Sequence, residues 1–258
     1  MKSRLFRELS TLPFNSGIRR ICACALLIGA SIAGIATVQA QIAIPSTRVV
    51  YAAPQKEVVV PIRNMGDAPV LVQAWISDGD PDQPPEASKA PFVLAPPVVR
   101  LDAGKDNHLR IRGIEGVAPN DNVEHLYWLN ILAIPPRVAD ATQGVLELAI
   151  RSRYKVLYRP KGLPAPGLDR TGEWDFSLKS DGEGRRLHIA NRSAYVANLG
   201  TLTVVHDGRS MELDNPYVLP MAGVDVELPS RVEPPLEVQF HWIDDEGRLH
   251  PGARSIGR

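Results

Sequence analysis

Few side chains in this sequence could do covalent or metal chemistry, and none stands at the spacing such chemistry requires. His108, His125, His188, His206, His241 and His250 form no His-Glu-x-x-His pair of the kind that grips zinc from one helix face. Cys22 and Cys24 both lie in the first forty residues, and beyond them there is no cysteine, no Gly-x-Ser-x-Gly elbow and no phosphate-cradling glycine loop. Asp78-Gly79-Asp80-Pro81-Asp82 opens like a calcium loop but lacks the later glycine and the closing glutamate, and reads as a turn. Asn191-Arg192-Ser193 fits a glycosylation sequon, a pattern of low specificity. The chain is expected not to be an enzyme and to need no cofactor or metal. What remains is the chemistry of binding.

The segment with most to say about binding runs from Gly144 to Lys155. Leu146, Leu148 and Ile150 alternate, so on a strand they line one face. Such a row ordinarily enters the protein's own core, but it can also serve a partner. Lys155 breaks the parity of the row: either a bulge intervenes or this lysine looks the other way.

The elements around this segment are strands. Lys2, Arg4, Arg7, Arg19 and Arg20 precede an apolar run from Ile21 to Val38 that ends in Val38-Gln39-Ala40, the layout of a secretory leader cleaved after Ala40. An uncleaved membrane anchor is the alternative. Cleavage takes five basic residues and one acid from the 29 of each charge sign, so the mature chain is mildly acidic and shows no nucleic-acid footprint. Without cysteines, the mature protein must be held by its core. Short β-branched runs between Pro, Gly, Asp and Asn clusters predict strands at 47–51, 56–64, 69–77, 98–101, 107–113, 125–134 and 144–158. A second series falls at 174–179, 186–191, 196–206, 211–213, 224–228 and 236–244. Seven strands at that spacing are the appearance of an immunoglobulin-like sandwich. The expected organisation is all-β: a leader over 1–40, one Ig-like domain over 41–160, a proline-rich linker over 161–168 and a second β-sandwich over 169–258.

Several motifs occur together in one order. They are Thr47-Arg48-Val49-Val50-Tyr51, Ala95-Pro96-Pro97-Val98-Val99-Arg100-Leu101, the run from Leu126 to Pro136, and Lys155-Val156-Leu157-Tyr158-Arg159-Pro160. Asn191-Arg192-Ser193-Ala194-Tyr195 and Trp242-Ile243-Asp244-Asp245-Glu246-Gly247 follow. The chain thereby resembles the periplasmic pilus-assembly chaperones, the PapD-like family, over essentially its whole mature length. The resemblance implies two Ig-like sandwiches in a boomerang. Its function would be to hold an incomplete pilus subunit by lending it a strand, and to deliver it to an outer-membrane usher. By position, Arg48 and Lys155 match the cations that hold the subunit's C-terminal carboxylate, and Leu146, Leu148 and Ile150 match the donated apolar row. Glu124, Arg159 and Asp245 match an ion network between the domains. The short connection Arg137–Gln143 resembles the branch of the family that builds rod-like pili. Two departures stand out: Arg192-Ser193-Ala194 replaces the usual Pro-Thr-Pro, which puts that turn in question, and Asp244 replaces the usual Asn. The other reading of the chain is a structural two-domain surface or adhesin subunit, and self-association of the free protein is compatible with either.

Overall fold

Alternation of apolar and polar residues carries through the chain into strands, and the computed structural model describes them over residues 42–80, 82–137, 147–167, 170–180, 185–229 and 232–257. The leader, Leu146, Pro81 and most of the 137–143 connection lie outside the described residues. The first nine strands are β1 (Ile42–Ala43), β2 (Arg48–Ala52), β3 (Val58–Asn64), β4 (Val70–Ser77), β5 (Phe92–Ala95), β6 (Val98–Leu101), β7 (Asp106–Gly113), β8 (His125–Ile134) and β9 (Ile150–Arg159). They form a sheet in the order β1-β3-β7-β5 packed on another in the order β2-β9-β8-β4-β6. After Pro45 the chain crosses from the first sheet to the second, so β1 runs antiparallel to β3 while β2 runs parallel to β9. Ile62, Val72, Leu109, Ile111, Leu129 and Val156, all essentially inaccessible, fill the space between them.

The second sandwich comprises β10 (Trp174–Ser180), β11 (Arg185–Asn191), β12 (Ala197–His206), β13 (Arg209–Leu213), β14 (Tyr217–Val218), β15 (Ala222–Glu227), β16 (Leu236–Ile243) and β17 (Leu249–Ile256). One sheet is β10-β11-β15, and the other is β13-β12-β16-β17 with β14 also on β12. Leu187, Ile189, Leu202, Val204, Val238 and Phe240 make its core, with Trp174 and Trp242 at one end. The fold is thus a pair of Ig-like β-sandwiches.

Both sandwiches close the same corner with an asparagine. The Asn64 amide donates to the carbonyls of Ala68 (2.8 Å) and Leu101 (3.0 Å), and its oxygen accepts from Gly66 N–H. Asn191 repeats the arrangement, donating to Tyr195 O (2.7 Å) and Val218 O (3.1 Å) and accepting from Ser193 N–H. Ser193 adds its hydroxyl to the Asn191 oxygen at 2.7 Å. The turn therefore closes without the prolines, because the asparagine satisfies the buried backbone groups.

Four strands went beyond the sequence expectation. β1, β5 and β14 are too short to show periodicity. β17 is long but carries Pro251 and Gly252, which argue against a strand interior. It stands at a sheet edge, where proline removes no ladder bond. Its glycine is required, since a Cβ at Gly252 would come within 2.5 Å of the Phe240 ring. The strand expected from Gly144 is also shorter: Glu147–Ala149 carry no strand, and β9 begins at Ile150.

Candidate functional site

β8 and β9 pair in unbroken register from His125↔Tyr158 to Ala133↔Ile150. No bulge resets the pleat, so Lys155 looks away from the face that carries Val156 and Tyr158 into the core. Ile150 shares the core-side parity but lies past the end of the core and is 42 % exposed, while Leu148, just before the strand, is 61 % exposed. β2 covers the outer edge of β9 only from Lys155 to Arg159. Among the described residues, the edge from Ile150 to Tyr154 has no strand beside it.

On the outer face, register places Arg48 of β2, Lys155 of β9, Trp128 of β8 and Ser77 of β4 in one row across the sheet. Two cations thus stand side by side. The second sandwich closes over them. Arg48 donates from Nη1 to Ile243 O at 3.4 Å, and among the described residues its buried Nε has no partner. The turn between β16 and β17 packs here: Gly247 has φ +86°, and a Cβ on it would lie 3.2 Å from the Thr47 hydroxyl. Lys155 Nζ donates to Asn198 Oδ1 at 2.6 Å and lies 4.7 Å from the centre of the Tyr217 ring. Burial and the neighbouring Arg48 charge bring the Lys155 ammonium down to about 8. Burial likewise lowers Arg48, against the pull of Asp245 and Asp244. Two desolvated cations stand here side by side, and such a pair has the charge and the donors to accept one anion, a planar carboxylate matching a guanidinium fork in shape.

Beneath them, Arg159 gathers the three network residues. Its Nε donates to Glu124 Oε1 at 2.7 Å, and Nη1 and Nη2 reach the two oxygens of Asp245 at 2.7 and 2.8 Å. Glu124, 2 % exposed, also accepts Val196 N–H at 2.8 Å. Burial works against the charge on Arg159, but Asp245 and Glu124 outweigh it and raise its pKa. Burial also opposes ionisation of Asp245, and Arg159 with Arg170 overcomes it. Glu124 and Arg159 belong to the first sandwich and Asp245 to the β16–β17 turn, so the network ties the two together.

Asp244, the departure from asparagine, is occupied locally. It accepts Arg248 N–H at 2.8 Å, Arg248 Nε at 3.2 Å and His250 Nε2 at 2.7 Å. Burial opposes its charge, but His250 and Arg248 hold its carboxyl at about 2.

Sequence reasoning missed Arg170, whose Nη2 reaches Asp245 Oδ1 at 3.1 Å, and the two second-sandwich neighbours of Lys155. A lone arginine after a linker carries no pattern that would single it out. Asn198 lies within the strand expected over 196–206, but only the meeting of the sandwiches brings it to a lysine 43 positions away.

Two Ig-like sandwiches, tied by an ion network and meeting over a paired-cation site, define a two-domain β-sandwich binding protein. The chain belongs to the family of pilus-assembly chaperones. Residues 41–164 match the pili and flagellar-assembly chaperone PapD N-terminal domain, and residues 171–253 match the PapD C-terminal domain. The chaperone protein FimB/FhaD of Bordetella pertussis is 37 % identical over 243 residues, 92 % of this chain and 98 % of that protein. The crystal structure of the Pseudomonas aeruginosa CupB2 chaperone has a TM-score of 0.69 at 30 % identity, over 83 % of this chain and 100 % of that one. A chain of the Salmonella enterica SafA pilin–SafB chaperone complex has a TM-score of 0.70 at 26 % identity, over 86 % of this chain and 99 % of its own.

Proposed function

We propose that this protein captures fimbrial subunits in the periplasm by lending them a strand, and passes them to an outer-membrane usher. The observation that carries this reading is the paired-cation site at the root of a strand whose outer edge, among the described residues, is unpaired from Ile150 to Tyr154. A subunit's C-terminal carboxylate docks between Arg48 and Lys155 and fixes the position of its last residue. Its chain then adds to β9 along Ile150–Tyr154, where backbone hydrogen bonds give affinity without reading sequence. Leu146, Leu148 and Ile150 enter the subunit's apolar groove, each worth about 1.5–3 kcal/mol gross, before the ordering cost of association.

The opposite face of β9 is pinned. Arg153 lies 4.5 Å from the centre of the Trp128 ring and donates to Gly79 O at 3.1 Å, and Arg151 reaches Asp82 at 3.4 Å. A strand whose outer-face side chains are held is pre-organised to pair along its open edge.

Co-expression with a subunit tests the reading: a chaperone yields a soluble one-to-one pair, whereas a structural subunit polymerises. Leu148→Glu is expected to fold normally by circular dichroism and to retain no subunit. It would put a charge into an apolar groove at a cost of several kcal/mol. Unfolding of the first sandwich in this variant would return Leu148 to the protein's own core.

Capture is also expected to depend on pH. The free ammonium of Lys155 titrates at about 8, and a bound carboxylate favours its charged form. Binding therefore takes up a proton above that value, so affinity is full below pH 8 and falls as pH rises through it. Titration of a preformed pair by native gel or light scattering checks this, and affinity that stays flat to pH 10 would remove Lys155 from the anchor. The mature protein is taken to begin at Gln41, which intact-mass measurement on a periplasmic extract tests; retention of residues 1–40 on a membrane-bound product would sink the soluble-chaperone reading.

A further inference from the structure

The anchor lysine is a four-carbon side chain with about 2 kcal/mol of rotamer freedom to lose, yet its ammonium must sit at one point to fix a subunit's register. Among the described residues, the side chains that meet it come from other strands: Asn198, Tyr217 and Trp128. We propose that Asn198 and Tyr217 are positioning residues for the carboxylate anchor, holding the Lys155 ammonium from the second sandwich at a fixed place beside Arg48. This rests on the reading of Lys155 as an anchor.

The two residues are direct cross-strand partners on β12 and β14. Asn198 is 3 % exposed and donates its amide to Val196 O at 3.3 Å, leaving Oδ1 turned to the ammonium at 2.6 Å. The Tyr217 ring faces the ammonium at 4.7 Å and packs edge-on against Trp128, their centres 5.8 Å apart, and Trp128 itself lies 6.0 Å from the ammonium. The charge that bears directly on Lys155 is another cation, Arg48, which is itself favoured by Asp245, Asp244 and Glu124 and opposed by burial and Arg170, while Arg153 shares the Trp128 ring. A neutral amide oxygen and a ring face are suited to this work. Each attracts an ammonium without cancelling its charge, so the full positive charge remains for an incoming carboxylate. An aspartate at 198 would hold the lysine as firmly and neutralise it. Because both residues come from the second sandwich, the anchor is complete only when the two sandwiches are docked.

The test uses the mature protein, with lysine labelled at ¹³Cε and Lys155 assigned by its loss in Lys155→Arg. Its probes are an N-acetylated tetra-alanine peptide with a free C-terminal carboxylate and the same peptide amidated. The parent is expected to titrate at Lys155 near 8 and to prefer the carboxylate peptide. Asn198→Leu and Tyr217→Leu should each lower the Lys155 midpoint and reduce that preference, by about tenfold in Asn198→Leu for the lost charge-assisted hydrogen bond and by several-fold in Tyr217→Leu for the lost ring-face contact. Asn198→Asp should raise the midpoint and abolish the preference. Tyr217 is 38 % exposed, so leucine there leaves the fold intact even if Asn198 variants do not. A parent that prefers the carboxylate, with a Lys155 midpoint unmoved in both leucine variants, overturns the role of Asn198 and Tyr217 alone. No preference in the parent overturns the anchor and this inference with it.

Discussion

Lys155→Met is expected to make the free protein more heat-stable and at the same time unable to retain a subunit. In the folded state the ammonium is brought down to about 8 by burial and by Arg48, whereas in the unfolded chain it titrates at its ordinary value near 10.4. The sign follows from linkage. Below pH 8 the folded protein bears the whole cost of a disfavoured charge, and that cost disappears as pH rises past the unfolded value. Methionine has similar length and no charge, so the gain in stability belongs to neutral pH and vanishes in strong alkali. Part of it is offset by the acceptor left bare on Asn198, worth about 1 kcal/mol. A net gain on the order of 1 kcal/mol raises the melting temperature by about 2–4 °C in a chain of this size. Capture is lost because a charge-assisted contact to the carboxylate, worth about 1.5–3 kcal/mol, goes with the ammonium. Arg48→Ala should show the same loss of capture, its guanidinium being buried with Nε unpartnered among the described residues. Scanning calorimetry and subunit retention on the same preparations check the pair of outcomes. A lowered melting temperature for Lys155→Met would mean that the lysine is part of the scaffold instead.

How much of this was legible beforehand varied with the range of the interaction. β7 in the first sandwich, and β11 and β16 in the second, alternate apolar and polar residues clearly, and each sandwich has strands of its own from which it follows. Lys155 was recognisable as out of step with Leu148 and Ile150, but only the unbroken β8–β9 register settles that it looks the other way. The β17 edge strand was hidden by its own Pro251 and Gly252, which are read as breakers until the strand's place in the sheet is known. Glu124, Arg159 and Asp245 were picked out by resemblance alone, since their charges show no pattern along the chain. Arg170, Asn198 and Tyr217 escaped altogether. Their roles arise where one sandwich meets the other, and no local periodicity encodes that meeting.

Arg159→Ala should be the most damaging single change to the protein's own stability. The guanidinium is 4 % exposed and gives three short hydrogen bonds, one to Glu124 and two to Asp245. Alanine strands Glu124 as a buried carboxylate whose remaining described donor is Val196 N–H, while Asp245 keeps Arg170. Breaking such a buried pair by removing one partner costs about 3–5 kcal/mol, because the other charge stays behind without compensation. The stranded charge also predicts how pH acts. Burial already pushes the Glu124 carboxyl up, and without Arg159 it rises further. A carboxyl whose folded pKa is raised is stabilised by protonation, so the variant should recover stability as pH falls below neutrality, more steeply than the parent. Adding Glu124→Gln removes the stranded charge and should restore much of the loss, giving a large coupling energy in the double-mutant cycle. If Arg159→Ala melts where the parent does, or if Glu124→Gln makes it worse, the three residues are not a stabilising tie between the sandwiches. An intermediate loss with no recovery on acidification would show that water reaches Glu124 once the arginine is gone, and that the tie is held mainly by Asp245.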